Sequence, residues 1–261
     1  MGDRPILFSG RMVRALLDER KSQTRRLLNP QPYSPESIVS YDKISGKWMS
    51  CEPSPATGGT RQMDPWRPIR IKTGDRLYVR EAWRVARDYD GHSPAKSHKG
   101  KPVLPDFAVI AYEADPLRDG VGKLRQAMHM PRWASRLTLT VSDVHVERLQ
   151  DISEEDAVAE GCFKGKASGR VFASEAAMHL GGVEWANARD WYADLWDSIN
   201  SEDTWDANPW VVAYTFTVER RNIDAPVPTT CDTCNGSGKE ARHQICRDCD
   251  EAPTNVAKGG A

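Results

Sequence analysis

Long apolar runs are missing from this sequence of 261 residues. None approaches the roughly 20 residues that a helix needs to cross a bilayer. The N-terminus also lacks a signal-peptide hydrophobic region, so a cytoplasmic chain with no membrane partner is expected. Net charge is nearly absent, at −1, and whatever charge does must come from its placement. Cysteine is scarce before the C-terminal region: Cys51 and Cys162 stand alone, and Cys162 has no recognisable base partner in sequence. A cysteine nucleophile is therefore not expected. No internal repeat is present, which argues against a solenoid.

What is present suits a globular domain with generous loops, since 39% of residues are hydrophobic and 28% charged. The length allows one well-buried domain with insertions, or a domain plus a small appendix. Basic residues crowd the segments 1–30 and 61–87, while acidic residues dominate 151–206. Such asymmetry is compatible with one face that meets an anion, and equally with segments that pair with each other. Nine tryptophans offer stacking surfaces, although buried tryptophans are mostly packing.

Four cysteines gather near the C-terminus as two Cys-x2-Cys pairs, Cys231 with Cys234 and Cys246 with Cys249. Four thiolates at this knuckle spacing suit a closed, tetrahedral, structural Zn2+ site better than two disulfides or free thiols. His243 lies between the pairs as a bystander. The first pair and its glycines, CDTCNGSG, resemble the unit found in DnaJ-type zinc domains. That resemblance implies metal binding and no chaperone role.

The rest reads as alternating short elements. Segment 5–9 is apolar and extended, and 11–20 places Met12, Ala15 and Leu16 on one helical face. A basic stretch, Lys21 to Arg26, then reads as a charged helix end that leads to a break at Asn29-Pro30. Segment 30–65 is rich in Pro, Ser and Gly and reads as an insertion or long loop, with one hairpin around Ser45-Gly46. Strands follow at 77–81, 107–112, 136–149 and 210–218, with Gly74-Asp75 as a turn. Ser153, three residues before Asp156, starts a helix, and 185–199 is an amphipathic helix with a tryptophan-rich face. The expected fold class is α+β: a small mixed β-barrel with flanking helices and loop insertions near 30–65, 86–105 and 162–183. The domain would span 1–222, a linker 223–230, and a zinc module with tail 231–261.

Order and combination carry one further step. Lys21, Thr24 and Arg26 or Arg25 form Lys-x-x-Thr-x-Arg; Gly74, Asp75, Leu77 and Val79 form a second motif. A third runs through Leu149, Ile152, Ser153, Glu154, Ala157 and Glu160. Together they resemble the ASCH family, related to PUA domains, over most of residues 4–220. The segments VREAW, HMPRWASR and ADLWDSIN also look like those of phage-encoded ASCH-like proteins, which would place the chain in a host-cell cytoplasm.

The resemblance implies a cleft that binds RNA or modified nucleobases. One branch, the N4-acetylcytidine amidohydrolases, uses a lysine, a threonine and a glutamate, which fall on Lys21, Thr24 and Glu160. The implied activity is hydrolysis of an N4-acylated cytidine or cytosine without a catalytic cofactor. Arg25 and Arg26 would tune charge or bind the ligand. Glu81 could accept from a base amino group with Trp83 or Trp133 stacked on its face; the plainer reading pairs Glu81 with Arg80 or Arg84 and leaves both rings as packing. The rival function is a non-catalytic reader of a modified base in RNA or DNA. A third is a phage assembly or host-interaction factor.

Overall fold

The computed structural model describes residues 2–34, 36–54, 58–63, 65–91, 97–98, 101–102, 110–116, 119–165 and 168–225. The chain divides into two compact units, Met1–Ile223 and Asp224–Ala261. The four-cysteine module lies outside the described residues, as do His92, residues 107–109 of an expected strand, and most of the expected linker.

The first unit is mixed α+β with several sheets. Its centre is a five-stranded sheet in the order Asp3–Leu7, Arg76–Arg80, Thr138–Arg148, Trp210–Glu219, Gln23–Leu27. The first two strands pair in parallel and the remaining pairs are antiparallel. Alternation drives this: Leu139, Val141 and Val144 on the long strand, with Leu77, Val79, Val212 and Phe216, build the main core. A register shift between Val141 and Asp143 bends the long strand, as a bulge does. The two outer strands, Asp3–Leu7 and Gln23–Leu27, share no ladder among the described residues, so the expected closed barrel is not what the sheet shows. A side chain spans them, Arg26 Nη2 donating to Leu7 O at 2.8 Å.

Helix α1 (Gly10–Leu17) joins these outer strands and buries Met12, Val13, Ala15 and Leu16. It stops earlier than its periodicity suggests. Arg20 N and Lys21 N both return to Ala15 O, and Glu19 takes a positive φ of 59°. The basic stretch is consequently not a helix end; from Gln23 it is a strand, because five register pairs with Val211–Thr215 outweigh a further helical turn.

Segment 30–65, expected as an insertion or long loop with one hairpin, carries more strand than that among its described residues. Ile38–Asp42 and Lys47–Pro53 form a hairpin around Ser45-Gly46, extended by Thr60–Gln62 and Arg67–Pro68. Trp48 anchors it, only 1% exposed and part of the main core. Segment 162–183 also folds locally. Phe163–Lys164, Val171–Phe172 and Glu184–Trp185 make a small sheet around helix α3 (Glu175–Leu180).

Helix α2 (Glu154–Ala159) begins at Ser153, whose hydroxyl accepts from Asp156 N at 3.0 Å, as its spacing predicts. Helix α4 (Ala188–Asn200) starts later than 185, at the residue after Asn187, whose side chain accepts from Asp190 N. Its face of Trp191, Tyr192, Leu195 and Trp196 packs into the core. Among the described residues, no helix is long and apolar enough to cross a membrane.

If the 38–68 sheet is part of the fold and not an appendage, Trp48→Ala should lower the unfolding free energy by about 3–5 kcal/mol. Urea denaturation checks this; a loss under 1 kcal/mol would make the segment a dispensable insertion.

Candidate functional site

The end of α2 and the start of the Gln23–Leu27 strand meet in a short bridge between Lys21 and Glu160. Ser22 N donates to Ala159 O at 2.9 Å, which fixes the two segments side by side. Gly161 follows with φ +106°, and a Cβ there would stand 2.9 Å from Ala15 Cβ and 3.1 Å from Lys21 Cβ. Only glycine lets the chain turn here so close to Lys21.

Lys21 and Glu160 are both buried, and Lys21 Nζ lies 2.6 Å from Glu160 Oε2. The same Nζ donates to Gln23 O at 2.8 Å and Glu160 O at 3.1 Å, so all three ammonium donors are used. Burial pulls the Lys21 pKa below the ordinary lysine value, against the opposing pull of Glu160 and with help from Arg26 and Arg25.

Arg25 is buried as well, and its guanidinium binds a ring of acceptors. Nε meets Glu147 Oε1 at 2.7 Å; Nη1 meets Gln23 Oε1 at 2.5 Å and Glu160 Oε1 at 3.2 Å. Nη2 has no hydrogen bond among the described residues, its carboxylate neighbour Asp156 Oδ2 standing at 3.4 Å. Gln23 in turn donates to Asp156 Oδ1 and Thr215 Oγ1. Glu160 thus receives one cation on each carboxylate oxygen.

A cavity of about 310 Å³ opens beside this cluster, in the lower range of small-molecule sites. Thr24, Arg25, Arg26 and Glu160 line one side; Met12 of α1 and Tyr192, Leu195, Trp196 and Ile199 of α4 line the other. Thr24 is fully buried, and its hydroxyl has no hydrogen-bond partner among the described residues. The Tyr192 phenol is pushed well above its ordinary pKa by burial first and by the Glu160 charge next.

The residues singled out in sequence therefore divide. Lys21 and Glu160 meet, and Thr24 and Glu160 share a cavity wall, while neither Lys21 nor Glu160 is bonded to Thr24. Glu160 is the C-cap of α2 and not a residue within the helix. Arg25 and Arg26 both line the cavity. Glu81 and Trp83 do not. Glu81 is held by Arg136, Nε to Oε1 at 2.9 Å and Nη2 to Oε2 at 3.0 Å, with Asp115 on the same guanidinium. The expected partners Arg80 and Arg84 are engaged elsewhere, with Met128 O and Glu113. Trp83 sits in a second small core with Val85, Met130 and Ala134, edge-on to Trp133 at 6.5 Å between centroids.

Sequence reasoning missed Tyr192, Glu147, Asp156 and Gln23. Tyr192 hid among the apolar positions of α4; Asp156 served to mark the helix start at Ser153. Glu147 lies on a strand with no signal to separate it from a surface acid.

No family model matches the chain, and no curated protein matches it. Among solved structures, an ASCH domain from Lactobacillus crispatus JV V101 is similar at 11% identity and a TM-score of 0.29, with 83% of this chain and 79% of that chain covered.

Two outcomes follow from the ion cluster. Removing one member of a buried pair strands the other charge, so Glu160→Ala should cost about 3–5 kcal/mol; the double variant Lys21→Met with Glu160→Leu should recover most of that loss. Chemical denaturation of the two variants decides it, and an equal loss in both would deny the pair its electrostatic character. His145 offers a pH test, with Nε2 3.5 Å from Glu147 Oε2 and Nδ1 3.4 Å from Asp143 Oδ2. The Glu147 contact, foremost, raises its pKa above 6.5 against burial. Its stabilising contribution is fully present below the unfolded value and is lost as pH rises through the higher folded value. Since the ring is partly exposed, His145→Gln should cost about 1 kcal/mol or less at pH 6 and progressively less above pH 7. A penalty that grows with pH would reverse the assignment.

Proposed function

We propose that this cavity hydrolyses an N4-acylated cytosine-type nucleoside or base, with Lys21, Thr24 and Glu160 as the working groups. The carrying observation is the buried Lys21–Glu160 contact at 2.6 Å beside a cavity whose wall holds an unpartnered threonine hydroxyl. The motif resemblance to N4-acetylcytidine amidohydrolases falls on these same three residues.

The pair can supply both an acid and a base. Burial lowers the Lys21 pKa, which brings its neutral amine within reach as a base, and the Glu160 carboxylate against it can relay the proton that Lys21 takes up. Lys21 then removes a proton from an attacking water as it adds to the acyl carbonyl. The tetrahedral oxyanion is met by Nη2 of Arg25, which has Asp156 as an ion-pair neighbour and no hydrogen bond among the described residues, and Thr24 holds the substrate or the water through its hydroxyl. Glu160 relays to N4 the proton that Lys21 took from the water, the C–N bond breaks, and cytidine leaves with the carboxylic acid as co-product. Atoms balance with water as the only co-reactant.

A second reading has its own support. All three donors of Lys21 are engaged, which suits a rigid binding wall as well as a base. On that reading the chain binds a modified nucleobase, alone or in RNA or DNA, without turnover.

A panel of N4-acylated cytidines assayed for cytidine release separates the two. Hydrolysis is expected, with Lys21→Ala and Glu160→Gln each reducing kcat/KM at least about 100-fold and Thr24→Val about 10-fold or more. The rate should rise with pH below the ordinary lysine range, as the depressed Lys21 loses its proton. Unchanged turnover in a folded Lys21→Ala variant would refute the assignment, and binding with no turnover would select the reader.

A further inference from the structure

The cavity lies along an unfinished edge of the central sheet. Gln23–Leu27 is an outer strand, paired only with Trp210–Glu219 among the described residues. Two hydrogen bonds fix which of its residues bond inward: Phe216 N donates to Ser22 O at 2.9 Å, and Leu28 N donates to Trp210 O at 3.0 Å. Antiparallel pairing alternates, so Thr24 and Arg26 also bond inward, and Gln23, Arg25 and Leu27 turn their main-chain N–H and C=O away from the sheet. The first of these outward carbonyls, Gln23 O, is taken by Lys21 Nζ. The next outward residues, Arg25 and Leu27, have no such partner among the described residues, and both line the cavity. Arg25 is 2% exposed. A buried main-chain pair without a partner is costly, and on the same wall Thr24 Oγ1 and Arg25 Nη2 also lack a hydrogen bond among the described residues, Nη2 having only its ion pair with Asp156.

We infer that the outward main-chain N–H and C=O of Arg25 read the edge of a nucleobase, with Leu27 as the neighbouring contact. An extended residue presents its donor and acceptor side by side on one edge of the strand. A cytosine-type base presents a matching pair on its own edge, an acceptor ring nitrogen beside an exocyclic N–H. Binding there completes the sheet edge with a base in place of another strand. The enclosure favours a single ring over an added peptide strand, because α1 and α4 close the space to about 310 Å³. Tyr192 and Trp196 of α4 supply an aromatic wall. The same docking brings the exocyclic nitrogen next to Thr24 and Glu160, where the proposed hydrolysis needs it. The inference rests on that reading for its choice of probe and extends it by assigning recognition to the main chain, which no side-chain motif records.

Amide hydrogen exchange on the full chain, with saturating cytidine as the probe, tests it residue by residue. Cytidine is the product, so turnover does not interfere. Exchange at the Arg25 and Leu27 amides should slow at least ten-fold, while Thr24 and Arg26, already bonded within the sheet, change little. That odd-and-even pattern would not arise from general tightening of the domain. Methylation of the ring nitrogen, as in 3-methylcytidine, should weaken binding at least ten-fold. Uniform slowing across residues 23–27, no slowing at Arg25, or equal affinity for 3-methylcytidine overturns the inference. Hydrolysis of N4-acetylcytidine without the alternating protection would leave the enzyme reading standing and remove only this one; alternating protection without hydrolysis would do the reverse.

Discussion

Everything at this site depends on two cations and one carboxylate held out of water. Lys21 and Arg25 each take one oxygen of Glu160. Charges in such a place are tolerated only when every lone pair and proton is matched, since burial of an unmatched ion costs several kcal/mol. The structure answers by recruiting Glu147, Asp156 and Gln23 around the Arg25 guanidinium, with Nη2 held by Asp156 as an ion pair at 3.4 Å and not by a hydrogen bond. Those contacts join α2, the long Thr138–Arg148 strand and the outer Gln23–Leu27 strand, so the polar cluster also sets how α2 meets the sheet.

The cavity follows from that arrangement. The end of α2 covers the beginning of the Gln23–Leu27 edge through the Lys21–Glu160 bridge, and α4 leans over the remainder with Tyr192, Leu195 and Trp196. An exposed sheet edge is ordinarily a hazard, because its free N–H and C=O groups invite pairing with other chains. Here the edge faces an enclosed space with charged groups at one end and apolar groups at the other. The same geometry guards the edge against strand addition.

Much of the element order was legible because alternation and helical spacing are local properties. The Thr138–Arg148 and Trp210–Glu219 strands, the Ser45-Gly46 hairpin and the Ser153 cap all carry their own signals in neighbouring residues. The misread segments have a common cause. Residues 21–26 carry basic side chains that look solvated, yet a partner 139 positions away along the chain makes Lys21 a buried residue. Segment 30–65 is rich in loop-forming residues, while its strands pair with one another and Trp48 joins the distant main core. The start of α4 was available in sequence, since Asn187 is a good cap; the tryptophan at 185 drew the helix too far toward the N-terminus.

By itself the sequence determined the α+β class, the order of most elements and the candidacy of Lys21, Thr24 and Glu160, because spacing and motif resemblance are written in residue order. Tertiary structure alone decided that Lys21 and Glu160 form a buried pair, that Arg25 joins them, that Glu81 and Trp83 stand apart, and that Tyr192 faces the cavity. It also decided which main-chain groups of the outer strand are left open. The physical reason is that burial and pairing are properties of neighbours in space: a lysine's charge is local, but whether it meets water or a carboxylate is set by chain that arrives from elsewhere.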